Sequence, residues 1–189
     1  MEKERTRGEI LAAAREVLRE KGVAQVTSRQ VAARAQVAVG TVFLHFPSTT
    51  DLFAALLDEH LGAVLPDAIA TVQARTLVAR LCHVARRLFE SYDVEPALSR
   101  VFLANTLFSE GPPEPRLAQL ELWVTAEVTR AIEHDSIEPV DPRLGFLCFF
   151  SLYFTLLVGG LRGHFGREQQ LGLLKQGLER VFPRRSHTS

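Results

Sequence analysis

Residues 40–51 read GTVFLHFPSTTD and gather a glycine, the hydroxyls of Thr41, Ser48, Thr49 and Thr50, and the imidazole of His45. The chemistry open to this set is non-covalent. Gly40 has no Cβ, so a partner can come close to the backbone there. Thr41 offers a methyl and a hydroxyl to a base edge or a phosphate, and His45 can donate to a phosphate oxygen. Val42 and Phe46 are spaced to face inward and anchor a short helix. Covalent chemistry has no comparable set. There is no G-x-S-x-G, no phosphate-binding loop and no convincing acid/base pair. His60, His83, His134, His164 and His187 include no i, i+4 pair and have no Cys cluster beside them. The expectation is no enzyme, no metal site and no cofactor.

The elements that must position this stretch read as helices. No segment keeps an apolar/polar alternation that would give a sheet. Ile10, Leu11, Ala14, Val17 and Leu18 make one stripe, and Gly22 stops it, which predicts a helix over about 5–21. Thr27-Ser28-Arg29-Gln30 is a capping-box pattern opening a short second helix, with Val31, Ala32 and Ala35 inward. A third short helix follows over 39–45. Ser48 and Asp51 open a fourth, whose stripe of Phe53, Leu56, Leu57, Leu61 and Val64 precedes Pro66. Longer helices are predicted over 76–92, 96–108, 116–134, from Asp141-Pro142 onward, and over 167–182. Gly111-Pro112-Pro113-Glu114-Pro115 is the clearest loop. The fold class is therefore all-α with about nine helices. An N-terminal three-helix helix-turn-helix domain (1–47) precedes a C-terminal helical domain (48–183) and a short tail (184–189).

Composition bounds the partners. Of 189 residues, 47% are hydrophobic, enough for a large core. Net charge is zero, yet residues 1–47 hold 8 Lys/Arg against 5 Asp/Glu, and the remainder holds 14 against 17. A basic N-terminal piece on an acidic body fits an anionic partner for the former. Cys82 and Cys148 lie far apart in apolar surroundings and read as reduced thiols in the cytoplasm. The charged start MEKERTRGEI has no secretory h-region. Leu144 to Leu161 runs 18 residues without a charge, just reaching a membrane span. Its glycines, Ser151, Tyr153 and Thr155 favour a helix buried in a core or subunit interface, so no membrane is expected.

The stretches TRGEILAAAREVL, KG and TSRQVAARAQVAVGTVFLHFPSTTDLF resemble, in order and spacing, the DNA-binding domain of TetR-family transcriptional regulators. The resemblance covers about Thr6 to Leu56. It implies an all-α homodimer on a palindromic double-stranded DNA operator, released when a small molecule enters the C-terminal domain. The residues it implies at or beside DNA are Thr27, Ser28, Arg29, Val39, Gly40, Thr41, Phe43, His45, Ser48 and Thr49. Phe43 could equally pack or touch the DNA backbone. The chain departs from the family pattern at Gln36, where the turn glycine stands, and at Ala38, where the capping serine stands. It also has Phe43 for tyrosine, and Thr49-Thr50 for Lys-Glu.

In the body, Phe89, Tyr92, Phe102, Phe108, Trp123 and Phe150 are the candidates to line a cavity for a small apolar or aromatic effector. Arg80, Arg86, Arg87 and Arg100 read as surface cations, one of which could meet an anionic ligand. The two last helices form the expected dimer seam through Phe149, Leu152, Leu156, Gly159, Gly160, Leu171, Leu174 and Leu178. Two functions follow: a ligand-responsive DNA-binding regulator, in the first instance a repressor, or a helical homodimer that keeps a small molecule or protein partner while its DNA binding has weakened.

Overall fold

The computed structural model describes residues 2–107, 115–134 and 136–185. Among them the chain forms nine α-helices: α1 (Glu2–Lys21), α2 (Ser28–Arg34), α3 (Val39–His45), α4 (Thr49–Ala70), α5 (Leu77–Asp93), α6 (Pro96–Leu107), α7 (Pro115–Glu133), α8 (Pro142–Leu161) and α9 (Arg167–Val181). No strand occurs in the described residues beyond one isolated bridge between Ile137 and Arg184. The proline-rich loop expected at 111–114 and the end of the helix expected at Phe108 lie outside the described residues. The chain packs as two compact units. One comprises Met1–Leu61 with Glu95–Glu110, the other Gly62–Val94 with Gly111–Ser189. The first unit therefore extends past residue 47 and takes in α6.

In the first unit, α1 buries Ile10, Leu11, Ala14 and Val17 and ends at Gly22, whose φ is 73°. The capping box of α2 is formed as the sequence predicts. Thr27 Oγ1 accepts from the Gln30 amide at 3.3 Å, and Gln30 Oε1 accepts from the Thr27 amide at 3.0 Å. The α2–α3 turn closes with the Val37 amide donating to the Ala32 carbonyl at 3.0 Å and the Gln36 amide to Ala33 at 3.3 Å. This pair of bonds is a Schellman motif, and it requires a left-handed residue at position 36. Gln36 adopts it at φ 56°. Arg34 then ties α2 to α1, donating to Glu16 at 2.9 Å and to both carboxylate oxygens of Glu20 at 3.0 and 2.8 Å. Arg15 pairs with Glu59 between α1 and α4.

Pro66 does not end α4. The helix runs on to Ala70 because Leu65 and Ala68, on either side, are buried. Their burial outweighs the one backbone bond a proline removes.

In the second unit, α8 packs between α7 and α9, and α5 packs against α7, α8 and α9. Asp141 caps α8 by accepting from the amides of Arg143 at 2.8 Å and Leu144 at 3.2 Å, with Pro142 at the first helical position. The helix is long and apolar enough to cross a membrane. Here Phe146, Phe149, Tyr153, Leu156, Leu157 and Leu161 are buried within the unit. Cys82 and Cys148 are free thiols, and burial pushes the Cys82 thiol up to about 11.

Among the described residues of this unit one carboxylate is buried. Glu127 accepts from Arg80 Nε at 2.5 Å and Arg80 Nη2 at 3.0 Å, and from Arg130 at 2.5 Å. Burial pushes its pKa up, but the two guanidiniums outweigh burial and hold the carboxyl below its ordinary value.

Two predictions follow from these local features. Gln36→Gly relieves about 1–2 kcal/mol of left-handed strain, partly offset by about 0.4–1 kcal/mol of added chain entropy. Ala38→Ser adds a missing cap, as no side chain caps α3, for about 1 kcal/mol. The double variant should show a higher urea midpoint with an unchanged slope. Secondly, a carboxyl held low in the folded state stabilises it fully above the unfolded value of about 4.3, and that stability disappears as pH falls through the folded value. Glu127→Gln should be less stable at pH 7 by about 2–3 kcal/mol, below the roughly 3–5 of a fully buried pair because Arg130 is half exposed. Urea titrations between pH 3 and 7 should show a smaller acid-side loss in the variant than in wild type.

Candidate nucleic-acid interface

The third helix is held from inside and presented outside. Val42 and Phe46 are buried, fixing α3 against its unit. Gly40, Phe43 and Leu44, at i, i+3 and i+4, form the outward face. Phe43 is 48% exposed and Leu44 is 74% exposed. Thr41, His45 and Val39 flank this face half-buried. A Cβ built on Gly40 meets nothing within 4 Å, so packing inside the chain does not demand glycine there.

The surrounding residues divide by role. Thr27 is exposed, but its hydroxyl is engaged in the cap of α2. Arg29 is exposed and meets no carboxylate among the described residues. Ser28 is buried, and its hydroxyl lies 3.4 Å from that of Thr49, joining α2 to the start of α4. Ser48 and Asp51 cap each other. Asp51 Oδ2 accepts from the Ser48 amide at 2.9 Å and hydroxyl at 2.7 Å, while Ser48 Oγ accepts from the Asp51 amide at 3.1 Å. Of the expected residues, Arg29, Gly40 and Phe43 are exposed and Val39, Thr41 and His45 half-buried, while Ser28 and Thr49 meet each other and Ser48 caps α4.

Two side chains were missed by the sequence reading. Leu44 shares the outward face of α3, which its i+4 spacing from Gly40 could have signalled. Arg7 lies with its guanidinium 5.2 Å from the centre of the Phe46 ring, bringing a cation of α1 to the end of α3.

The expected effector residues are spread over both units. Phe102 is buried in the first unit, and Phe108 lies outside the described residues. In the second unit Phe89 stacks on Tyr153 at 5.0 Å, under the Arg167 guanidinium at 4.9 Å. Phe150 stacks between Phe146 and Phe154, each 5.7 Å away. Trp123 is half-buried. Burial pushes the Tyr92 hydroxyl up to about 12 despite the nearby Arg116, and that of Tyr153 well above its ordinary value. None of these side chains lines the cleft of about 800 Å³ that the same unit forms between α5, α7 and α9.

The expected dimer residues are mostly engaged within the chain. Phe149, Leu156, Leu174 and Leu178 are buried in the second unit, and Leu171 is half-buried. A Cβ on Gly159 would lie 2.5 Å from the Phe165 ring, and one on Gly160 only 2.0 Å from Gln170 Nε2. Gln170 is itself buried and donates to the Leu156 carbonyl at 2.7 Å. Leu152 packs against Gly177 of α9. On these two helices the outward large apolar positions are Leu144 and Leu147 on α8, 53% and 57% exposed, and Leu173 on α9; elsewhere in the unit Val94 and Leu122 are exposed too.

A short capped helix, a tight left-handed turn, and a second short helix anchored on one side and bare on the other make a helix-turn-helix, the reading head of a DNA-binding transcription regulator. Residues 10–56 match the family described as bacterial regulatory proteins, tetR family. Solved structures match across nearly the whole chain. A TetR transcriptional regulator from Rhodococcus sp. RHA1 is 23% identical, with 96% of this chain and 97% of that one covered and a TM-score of 0.60. FadR of Thermus thermophilus, a TetR-family transcriptional repressor solved with lauroyl-CoA, is 21% identical over 93% and 92% of the two chains, with a TM-score of 0.67. RolR, solved with resorcinol, is 18% identical over 96% and 89%, also at 0.67. No curated protein matches the sequence. Residues 10–56 are thus similar to the DNA-binding domain of the tetR family of bacterial regulators, and the chain as a whole shares the helical fold of these solved structures.

Where the family pattern has lysine, Thr49 spends its hydroxyl on Ser28 and offers no cation to a phosphate. Thr49→Lys should tighten operator binding and steepen the plot of log K against log salt by about 1.8 for the two sites of a dimer. Fluorescence anisotropy from 50 to 300 mM salt measures both; an unchanged slope and affinity would exclude a phosphate contact from this position.

Proposed function

We propose that the protein is a cytoplasmic, small-molecule-responsive repressor that binds a palindromic operator as a homodimer. The observation that carries this reading is the outward face of α3, where Gly40, Thr41, Phe43 and Leu44 are presented on a helix whose other side is fixed by Val42 and Phe46. Its size suits the major groove, about 12 Å wide. Thr41 and Leu44 supply methyls for thymine and Thr41 a hydroxyl for a base edge. Arg29, His45 and Arg7 supply donors for phosphates. Two such heads require half-sites about 34–36 Å apart, or somewhat more.

Dimerisation is supported by the apolar positions that the second unit leaves outside. Leu144 and Leu147 lie on one side of α8 with Ser151 and Thr155, and Leu173 lies on α9. Pairing α8 and α9 with those of a second copy buries them in a four-helix arrangement. An apolar or aromatic effector is supported by the cluster in which Phe89 and Phe150 both pack on Tyr153, and by structures of similar fold that hold lauroyl-CoA and resorcinol. The effector acts by population shift: it lowers DNA affinity only by the difference in its binding to the competent and incompetent states.

The left-handed Gln36, the uncapped Ala38 and the cation-free Thr49 favour the second reading, a helical homodimer whose DNA binding has weakened. An electrophoretic shift with the DNA upstream of the protein's own gene separates the two. A specific shift at low salt is expected; its absence favours the second reading. In the same experiment Leu147→Arg should sediment as a monomer with unchanged helical circular dichroism, and operator affinity should fall more than tenfold. A monomeric wild type at micromolar concentration removes the dimer from either reading.

A further inference from the structure

The cleft of about 800 Å³ in the second unit has no part in the reading above. It opens between the start of α5, the end of α7 and the end of α9, and its apolar floor includes Leu77, Ile137 and Phe182, all buried. Its rim is strongly cationic. Six Lys or Arg side chains line it (Arg75, Arg80, Arg86, Arg130, Lys175 and Arg184) against two carboxylates, Glu127 and Glu179, an excess of four positive charges. The whole chain has a net charge of zero, so this surplus is local.

The pairing within the cleft leaves much of that surplus available. Glu127 is saturated by Arg80 and Arg130, and Glu179 lies 3.9 Å from Lys175. Arg75, Arg86 and Arg184 are exposed at the rim and meet no carboxylate among the described residues. Concave walls of low dielectric concentrate the field of such charges on whatever enters. Guanidinium groups match the paired oxygens of phosphate and carboxylate. The volume lies within the range of small-molecule sites.

We propose that this cleft is an anion-binding site for a small molecule that joins a phosphate or carboxylate group to a compact apolar or aromatic body. The anionic group meets Arg86 and Arg184 at the rim, and the apolar body rests on the floor formed by Leu77, Ile137 and Phe182. Arg80 does not contact the ligand. Its bidentate bond to Glu127 keeps a buried negative charge neutralised behind the site. The site is separate from the aromatic cluster of Phe89 and Phe150, so its ligand need not be the effector that governs DNA binding.

Calorimetry on the full-length protein at 150 mM salt tests this, with 1-naphthyl phosphate, inorganic phosphate, 1-naphthol and citrate as probes. The expected result is saturable binding of 1-naphthyl phosphate, one per chain. Inorganic phosphate and 1-naphthol should each bind at least tenfold more weakly, since each carries half of the recognised chemistry. Citrate binding tighter than 1-naphthyl phosphate would overturn the proposal, because citrate carries charge without an apolar body; the reverse supports it. The double variant Arg86→Gln/Arg184→Gln, at exposed side chains that meet no carboxylate among the described residues, should weaken the preferred probe at least tenfold. Arg162→Gln, exposed and outside the cleft, should leave it within twofold. The proposal is overturned if 1-naphthyl phosphate does not bind below 1 mM, or if the double variant binds it as wild type does. Operator binding is measured separately, so failure here leaves the regulator reading intact.

Discussion

The left-handed backbone at Gln36 sets the direction in which α3 leaves α2. Two amides, those of Gln36 and Val37, turn back to the carbonyls of Ala33 and Ala32, and this closure is available only if residue 36 has a positive φ. A glutamine bears that conformation at an energetic cost because other contacts over-determine it. Arg34 clamps the end of α2 to Glu16 and Glu20 on α1, and Val42 and Phe46 bury the far side of α3. Each surface ion pair is worth little alone. Together with the buried anchors they leave α3 one direction to take, and the face carrying Gly40, Phe43 and Leu44 depends on it.

The second unit rests on a different constraint. Its central helix α8 is apolar on every side, so that burial alone specifies its packing weakly, and polar contacts help to fix the register. Glu127 ties α7 to α5 through Arg80. Gln170 fills the space that Gly160 leaves open and satisfies the Leu156 carbonyl, locking the start of α9 against α8. Buried polar groups of this kind carry a desolvation cost that only the correct partners offset, so a slipped register is penalised.

Much of this was legible in the sequence. The caps at Thr27, Ser48 and Asp141 fell where the hydroxyl and carboxylate spacing put them, because capping is a local property of three or four residues. The all-α class and the turn at Gln36 were also within reach, since periodicity and the family's turn glycine both mark them. The site was less so. The resemblance implies Ser28 at or beside DNA; its side chain is buried, and its contact with Thr49 is made across 21 residues. The helix α8 is apolar on every side, so no stripe distinguishes Phe149, which faces the unit's own core, from Leu147, which faces out. The glycine pair at 159–160 permits close approach, but sequence cannot say whose side chain approaches; here Phe165 and Gln170 do. The cationic cleft is assembled from α5, α7, α9 and residues just beyond, and no window of sequence contains it.

The empty space beside Gly40 separates two kinds of selection on this helix. A larger residue there meets no atom of the chain's own fold, and leaving glycine within a helix would if anything stabilise it. A bound duplex is what such a residue would meet. Binding preference could drift at residue 40 at no cost to the scaffold, and lineages sharing this framework could come to read different operators without first having to repair their fold.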